Sequence, residues 1–286
     1  PENASATLAN LTLSSGAVSA IGTLTTTGSS TWTDGDVSNG NGWRNEGTLH
    51  ISGAARRFIS FATLTNAGTV LHDATGVLNF SNGTLVNEAA GDYEFATGLM
   101  DFWSGNPSFV NRGTLRKTGE ASATIDVPFS NTTGQLDVTA GRLQLTRQFT
   151  DFAADGLTGG SYIIAGEFRF PNASIISNAA DIRLIGPNSR IANSSGIDAL
   201  GNLSNNNGSL TIEDGRNLTV AENFSNRGNL TIGDMSTLST ALGDYLQESG
   251  STHMQAGGRP GPAGSRFGLR GGMLSGGGTI AGNVVN

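Results

Sequence analysis

One short phrase recurs along the chain at a nearly constant interval, and that interval limits the available folds more than any other feature. Aligned on a central Asn, the copies are Trp43-Arg44-Asn45-Glu46-Gly47, Leu64-Thr65-Asn66-Ala67-Gly68, Leu85-Val86-Asn87, Phe109-Val110-Asn111-Arg112-Gly113 and Phe129-Ser130-Asn131-Thr132-Thr133-Gly134. Two more follow in the second half, around Asn206 (Asn206-Asn207-Gly208) and as Phe224-Ser225-Asn226-Arg227-Gly228. Successive Asn residues are 21, 21, 24 and 20 positions apart in the first half and 20 apart in the second. A period of this size signals stacked supersecondary units, because one such unit cannot bury its own apolar face and must lean on its neighbours.

After the Gly, apolar and polar residues alternate: Leu49 and Ile51 flank His50, Leu210 and Ile212 flank Thr211, Leu230 and Ile232 flank Thr231. Alternation of period two marks short strands with one buried face. A unit of about 20–22 residues holds two or three strands of about five residues plus turns, which is one coil of a parallel β-helix. The expected fold is therefore all-β, a right-handed β-solenoid, its hand resting on the general crossover preference. The 286 residues would give about thirteen coils and, at about 4.8 Å per coil, a rod about 60 Å long. Forty-two Gly, seven Pro, no Cys and 36% hydrophobic residues suit a thin rod with tight turns and no disulfide framework. Residues 1–286 read as one solenoid domain, part of a longer repeat protein. Residues 257–271, rich in Gly and Pro, read as a protruding loop. Short stretches at Ala199-Leu200 and Leu238–Tyr245 could each hold a turn of helix.

The phrase itself reads as scaffold. Trp43, Leu64, Leu85, Phe109, Phe129 and Phe224, two positions before each Asn, would form an interior column, each contributing about 1.5–3 kcal/mol by burial. The Gly would permit a corner conformation that a side chain hinders. Asn45, Asn66, Asn87, Asn111, Asn131, Asn206 and Asn226 would either stack as an inward amide ladder or act as turn residues bonded to their own backbone.

Residues 160–238, from "GSYIIAGEFRF" through "ENFSNRGNLTIGDMSTL", and the closing "GGMLSGGGTIAGNVVN" resemble the repeat regions of large bacterial secreted β-helix proteins, the autotransporter passengers and filamentous-haemagglutinin-like surface exoproteins. The resemblance implies an exported, extracellular or cell-surface protein, a stalk, fibre, matrix component or adhesin, with surface glycans among its partners. It supplies no catalytic motif. No signal segment and no apolar run long enough for a membrane span occurs, so no direct membrane span is expected. The chain reads as mature or excised from something longer. Its strand-like ends would continue into further repeats or into identical subunits end to end.

A net charge of −7 argues against nucleic acid as a partner. Arg56-Arg57 and the group Arg112, Arg116 and Lys117 read as solvated outward charges, with a docking strip for an anionic polysaccharide or a neighbouring subunit as the alternative. The functional alternative to a non-enzymatic rod is a carbohydrate-active or carbohydrate-binding β-helix, similar to polysaccharide lyases, which needs clustered acids. Asp34/Asp36, Asp92/Glu94, Asp151/Asp155 and Glu213/Asp214 are the pairs to consider, the first two best placed because a spacing of two faces one side of a strand. No catalytic, cofactor-binding or metal-binding residue is assigned. His50, His72 and His253 read as isolated surface residues, and the several Asn-x-Ser/Thr triplets as products of composition.

Overall fold

The computed structural model describes residues 5–19, 22–40, 42–261 and 266–286. They form a parallel β-solenoid whose residues group into two compact units, Pro1–Thr150 and Asp151–Asn286. In the first unit each coil contributes three strands of two to seven residues. One sheet stacks Ala6–Leu8, Leu24–Thr26, Trp43–Asn45, Thr63–Asn66, Thr84–Asn87, Ser108–Asn111 and Phe129–Ser130. A second runs from Thr12–Leu13 through Thr48–Ile51 and Asp92–Phe95 to Gln135–Val138, and a third from Ala17–Val18 through Arg57–Ser60 and Gly98–Ser104 to Arg142–Leu145. All these pairings are parallel and mostly in strict register, so that Leu64 lies between Trp43 and Leu85, and Phe109 between Leu85 and Phe129.

The second unit repeats the plan with one interruption. Its strands Ser177–Asn178, Asn205–Asn206, Phe224–Asn226, Tyr245–Gln247 and Arg266–Leu269 form one parallel stack. Asp181–Ile185, Ser209–Glu213, Asn229–Ile232 and Ser251–Met254 form another. Between Arg190–Ala192 and Asn217–Val220 the third side is taken by a 3-10 turn, Ala199–Asn202, capped by the Asp198 carboxylate accepting the Leu200 N–H at 3.0 Å. The second expected helical stretch is instead strand, Thr237–Thr240 followed by Tyr245–Gln247, because Leu238 and Tyr245 each point into the interior. Within 257–271, Arg259–Pro260 and Arg266–Leu269 are strands paired to Thr237–Thr240 and Tyr245–Gln247, and residues 262–265 lie outside the described residues.

Alternation places one side-chain layer inside each coil. Trp43, Leu64, Leu85, Phe109, Phe129 and Phe224 are all fully buried. Phe109 meets Phe129 edge-on at 5.2 Å between ring centroids, and Phe129 stacks on Phe149 at 6.0 Å. In the second unit Phe224, Tyr245 and Phe267 continue in the same manner at 5.4 and 4.4 Å. The Gly of the phrase works differently from expectation. Gly47, Gly68, Gly113, Gly208 and Gly228 do not have positive φ. A Cβ on each would instead collide with the backbone of the preceding coil, at Gly28, Gly47, Glu88, Ala180 and Gly208 respectively. Close approach between coils, rather than backbone handedness, excludes a side chain there.

Phe109→Ala removes a ring that fills space between Tyr93, 5.7 Å away, and Phe129. The expected loss is about 3–5 kcal/mol, read as a lower urea midpoint. An unchanged midpoint would mean that the coils close over the gap.

Candidate functional site

The Asn side chains point inward and bond along the stacking axis. Asn45 Nδ2 donates to Asn66 Oδ1 at 2.8 Å, Asn66 to Asn87 at 2.7 Å, Asn87 to Asn111 at 2.7 Å and Asn111 to Asn131 at 2.6 Å. In the second unit Asn178 donates to Asn206 at 2.9 Å, Asn206 to Asn226 at 2.8 Å and Asn226 to Gln247 Oε1 at 3.1 Å. The same amides also serve corner carbonyls: Asn87 Nδ2 reaches Gly91 O at 3.2 Å and Thr114 O at 2.9 Å. The backbone carbonyls of Asn45, Asn87, Asn178, Asn206 and Asn226 each accept two N–H groups of the next coil, as Asn45 O does from Ala67 and Gly68 at 2.8 and 3.1 Å. Asn45 Oδ1, at the start of its run, is buried without a donor. Its register partner one coil earlier is Thr26, whose hydroxyl accepts the Trp43 indole N–H at 2.9 Å.

Two rungs escape the phrase. Asn178 is followed by two Ala where Gly would stand, and Gln247 replaces Asn altogether. Asn178 lies 28 residues before Asn206, a longer coil that the period does not reach, whereas Gln247 could be found by counting one period forward from Asn226. Phe149, Tyr245 and Phe267 extend the column for the same reason.

Three polar residues expected outside are inside. Arg57 is fully buried, and its guanidinium donates to Trp32 O at 3.1 Å, Ala55 O at 2.8 Å, Thr33 O at 2.7 Å and also to Ser52 O. Burial pulls its pKa below the ordinary value, opposed by the charge of Asp34. Lys117 is likewise buried, with Nζ on the carbonyls of Thr118, Gly119 and Ala140. Burial lowers its pKa too, against the charge of Glu120. His72 lies in the core with Nδ1 2.8 Å from the Tyr93 hydroxyl and its ring 4.8 Å from that of Phe95. Its Nε2 is buried without a partner, and desolvation pushes its pKa down to about 3. The expectation of a surface residue fails because His72 takes the inward parity, in register with Ile51, while Leu71 pairs with His50 outside. Nothing in the alternation alone says which of Leu71 and His72 faces in.

The acid pairs are dispersed among structural tasks. Asp34 Oδ1 accepts its neighbour Gly35 N–H at 2.7 Å. Asp92 pairs with Arg116 at 3.1 Å, and Glu94 accepts the Thr118 hydroxyl at 2.8 Å. Asp151 accepts the Tyr162 hydroxyl at 3.1 Å, Glu213 accepts Arg183 Nε at 2.7 Å, and Asp155 and Asp214 occupy left-handed turns at φ 58 and 56°. His50 pairs with Asp73 at 2.9 Å, and His253 Nδ1 lies 3.0 Å from the Ser275 hydroxyl. Arg112 and Arg116 lie on the outside as expected. Among the described residues no three His, Asp or Glu stand close enough to share a metal ion. A concavity of about 250 Å³ in the second unit is lined by Pro187, Asn188, Ser189, Arg190, Asp198 and Arg216. Its cations are already neutralised, Arg190 by Glu167 at 2.6 Å and Arg216 by Asp198.

Comparison with protein-family models, with curated proteins and with solved structures finds no match to this chain.

Two outcomes are expected. Asn87→Ala takes the amide donor from Asn111 Oδ1, at about 1–3 kcal/mol for a buried group left unpaired, while Gly91 O keeps the Thr114 N–H, and Asn87→Asp costs more because it also buries a charge. Both are read in urea melts. Below pH 6.5 the unfolded chain takes up a proton that His72 refuses in the folded state. Its contribution is therefore intact above that pH and declines as pH falls toward 3, by about 1.4 kcal/mol per unit. The stability difference between wild type and His72→Gln should shift in the variant's favour across this window; a constant difference would place an ordinary, solvated imidazole there.

Proposed function

We propose that the chain is a non-enzymatic structural or adhesive element of an exported surface protein, of the autotransporter-passenger or filamentous-haemagglutinin-like kind. The observation that carries this reading is the use made of the polar side chains. Asn ladders, Arg57, Lys117 and Asp151 are spent on holding coils together, and the outer carboxylates named above are mostly bonded to neighbouring Arg or Thr. Such an arrangement resists local opening along its length, since each coil is bonded to the next on every side, which is the property a stalk or fibre needs. Among the described residues no helix is long and apolar enough to cross a membrane. The partners this reading calls for are further β-coils, either of the same polypeptide or of identical subunits, and surface glycans.

The test joins location with turnover. Protease shaving of intact source cells is expected to release fragments of this chain, and the purified protein is expected to leave a panel of acidic and neutral polysaccharides unchanged. New reducing ends or unsaturated products would overturn the non-enzymatic reading in favour of a lyase or hydrolase, and complete protection from shaving would overturn the surface reading.

A further inference from the structure

On the outer face of the third sheet in the first unit, Asp36, Phe58, Asn79 and Asp101 stand in one row on successive coils. The strand that carries Asp101 is irregular. Gly98–Ser104 has seven residues where Leu78–Ser81 and Arg57–Ser60 have four. Phe80 pairs with Phe102 and Ser81 with Ser104, so Trp103 is the extra residue of a β-bulge. The bulge turns Trp103 outward, 54% exposed, whereas Trp32 and Trp43 are fully buried. Trp103 nonetheless reaches Phe58, two coils away, edge-on at 5.6 Å between centroids. On the intervening coil Asn79 is fully buried although it faces outward. Its Nδ2 donates to Arg57 O at 3.1 Å, and its Oδ1 has no donor among the described residues.

A second irregularity adjoins the first. The corner after this sheet is left-handed on four successive coils, at Asn39, Phe61, Asn82 and Gly105, with φ of 51, 50, 48 and 74°. Asn and Gly tolerate that region, whereas a Phe there is an outlier that costs stability. Phe61 recovers little by burial, being 60% exposed.

Exposed aromatic planes and the two flanking carboxylates form a platform that offers apolar faces and hydrogen-bond acceptors. Its ideal occupant presents a flat apolar face together with several donors. Cations of the chain already lie on rings here, Arg56 5.4 Å from the Trp103 centroid and Arg147 3.9 Å from that of Phe102, so a ligand that stacks on the indole displaces the exposed Arg56 guanidinium. Burial raises the Asp36 pKa, against a hydrogen bond from the Phe58 backbone, and the charge of Asp34 raises it further. A sugar ring satisfies all of these conditions, its C–H face lying on indole and its hydroxyls donating to carboxylates. From Asp36 to Asp101 is three coil steps, about 14 Å, room for a short oligosaccharide.

Resting on the adhesive reading above, we propose that this shelf is the glycan-contact site of the protein, taking neutral hexopyranose chains, with Trp103 as the stacking residue and Asp36 and Asp101 as acceptors. Tryptophan fluorescence tests it directly, because Trp103 is the exposed indole among three tryptophans. The full chain is titrated with neutral gluco-, manno-, galacto- and xylo-oligosaccharides, with oligogalacturonate and with a Lys-rich peptide. A blue shift and protection from acrylamide quenching are expected with a neutral oligosaccharide. Binding measured by calorimetry should weaken at least tenfold in Trp103→Ala and in Asp101→Asn, with urea midpoints close to wild type. Phe61→Asn should weaken binding while raising the midpoint, a pair of opposite changes that a merely structural role would not give. A response confined to the peptide or to oligogalacturonate, no response to any probe, or binding indifferent to Trp103→Ala overturns the proposal. Adhesion of wild type and Trp103→Ala to intact cells separates the two readings: equal adhesion removes the shelf and leaves the adhesive role, while no adhesion by either removes the adhesive role itself.

Discussion

Everything in this fold depends on stacking one coil on the next at the spacing of a parallel sheet. A single coil buries almost nothing and closes no strand ladder of its own, its internal hydrogen bonds being confined to corners such as Asn87 Nδ2 to Gly91 O. Once stacked, its backbone, its apolar column and its amide rung are satisfied together. The interior is only one side-chain layer wide, so a polar group placed inside meets the same group from the coils above and below, and Asn is well suited to that position. Its amide offers an acceptor on one side and two donors on the other, which is what a chain of rungs requires. From Asn45 to Asn131 every rung donates toward the C-terminus, and the dipoles add along the run. The cost falls at the run's beginning, where Asn45 Oδ1 goes unpaired beside Thr26.

The buried cations extend the same logic to the corners. Among the described residues Arg57 and Lys117 have no carboxylate within hydrogen-bonding distance and take backbone carbonyls instead, four in one case and three in the other. Trp32 O also accepts the Ser52 N–H, and a carbonyl at a tight bend that is buried with no donor at all carries a cost comparable to a lost hydrogen bond. A long side chain that folds back over its own corner answers several at once. It also explains why charges in this chain cannot be assigned to the surface by type: the methylene stem fills apolar space while the head caps the turn.

The sequence carried the architecture in two signals, the interval between Asn residues and the alternation after each Gly, and both arise from stacking itself. It carried the wrong reason for the Gly. A left-handed corner and a close contact between coils leave the same letter in a sequence, and only the geometry at Gly47 or Gly228 tells them apart. Asn178 and Gln247 do not stand out in the sequence because one lies 28 residues before the next rung and the other is not an Asn, although the rung needs only the amide. Arg57, Lys117 and His72 were misplaced because parity decides what faces in, and a run such as Thr69–His72 is compatible with either parity until the neighbouring strands fix the register. The aromatic shelf was invisible, since a bulge is a mismatch between two strands rather than a property of either.

That distinction bears on where activity can sit in a repetitive molecule. A regular coil is selected for by its neighbours, so its residues are explained by stacking alone. Trp103 and Phe61 are not. The ladder would be smoother with a four-residue strand in place of Gly98–Ser104, and the left-handed corner would be cheaper with Asn at 61, the residue found one coil before and one coil after it. Both departures give up stability, both expose aromatic surface instead of hiding it, and both fall on neighbouring positions of one face. Two independent costs borne at the same place are hard to attribute to packing, which neither improves. They are what a contact surface built onto a solenoid would look like: the scaffold kept intact beneath, with Asn79 still donating to Arg57 O, and the irregularity confined to the side that meets a ligand.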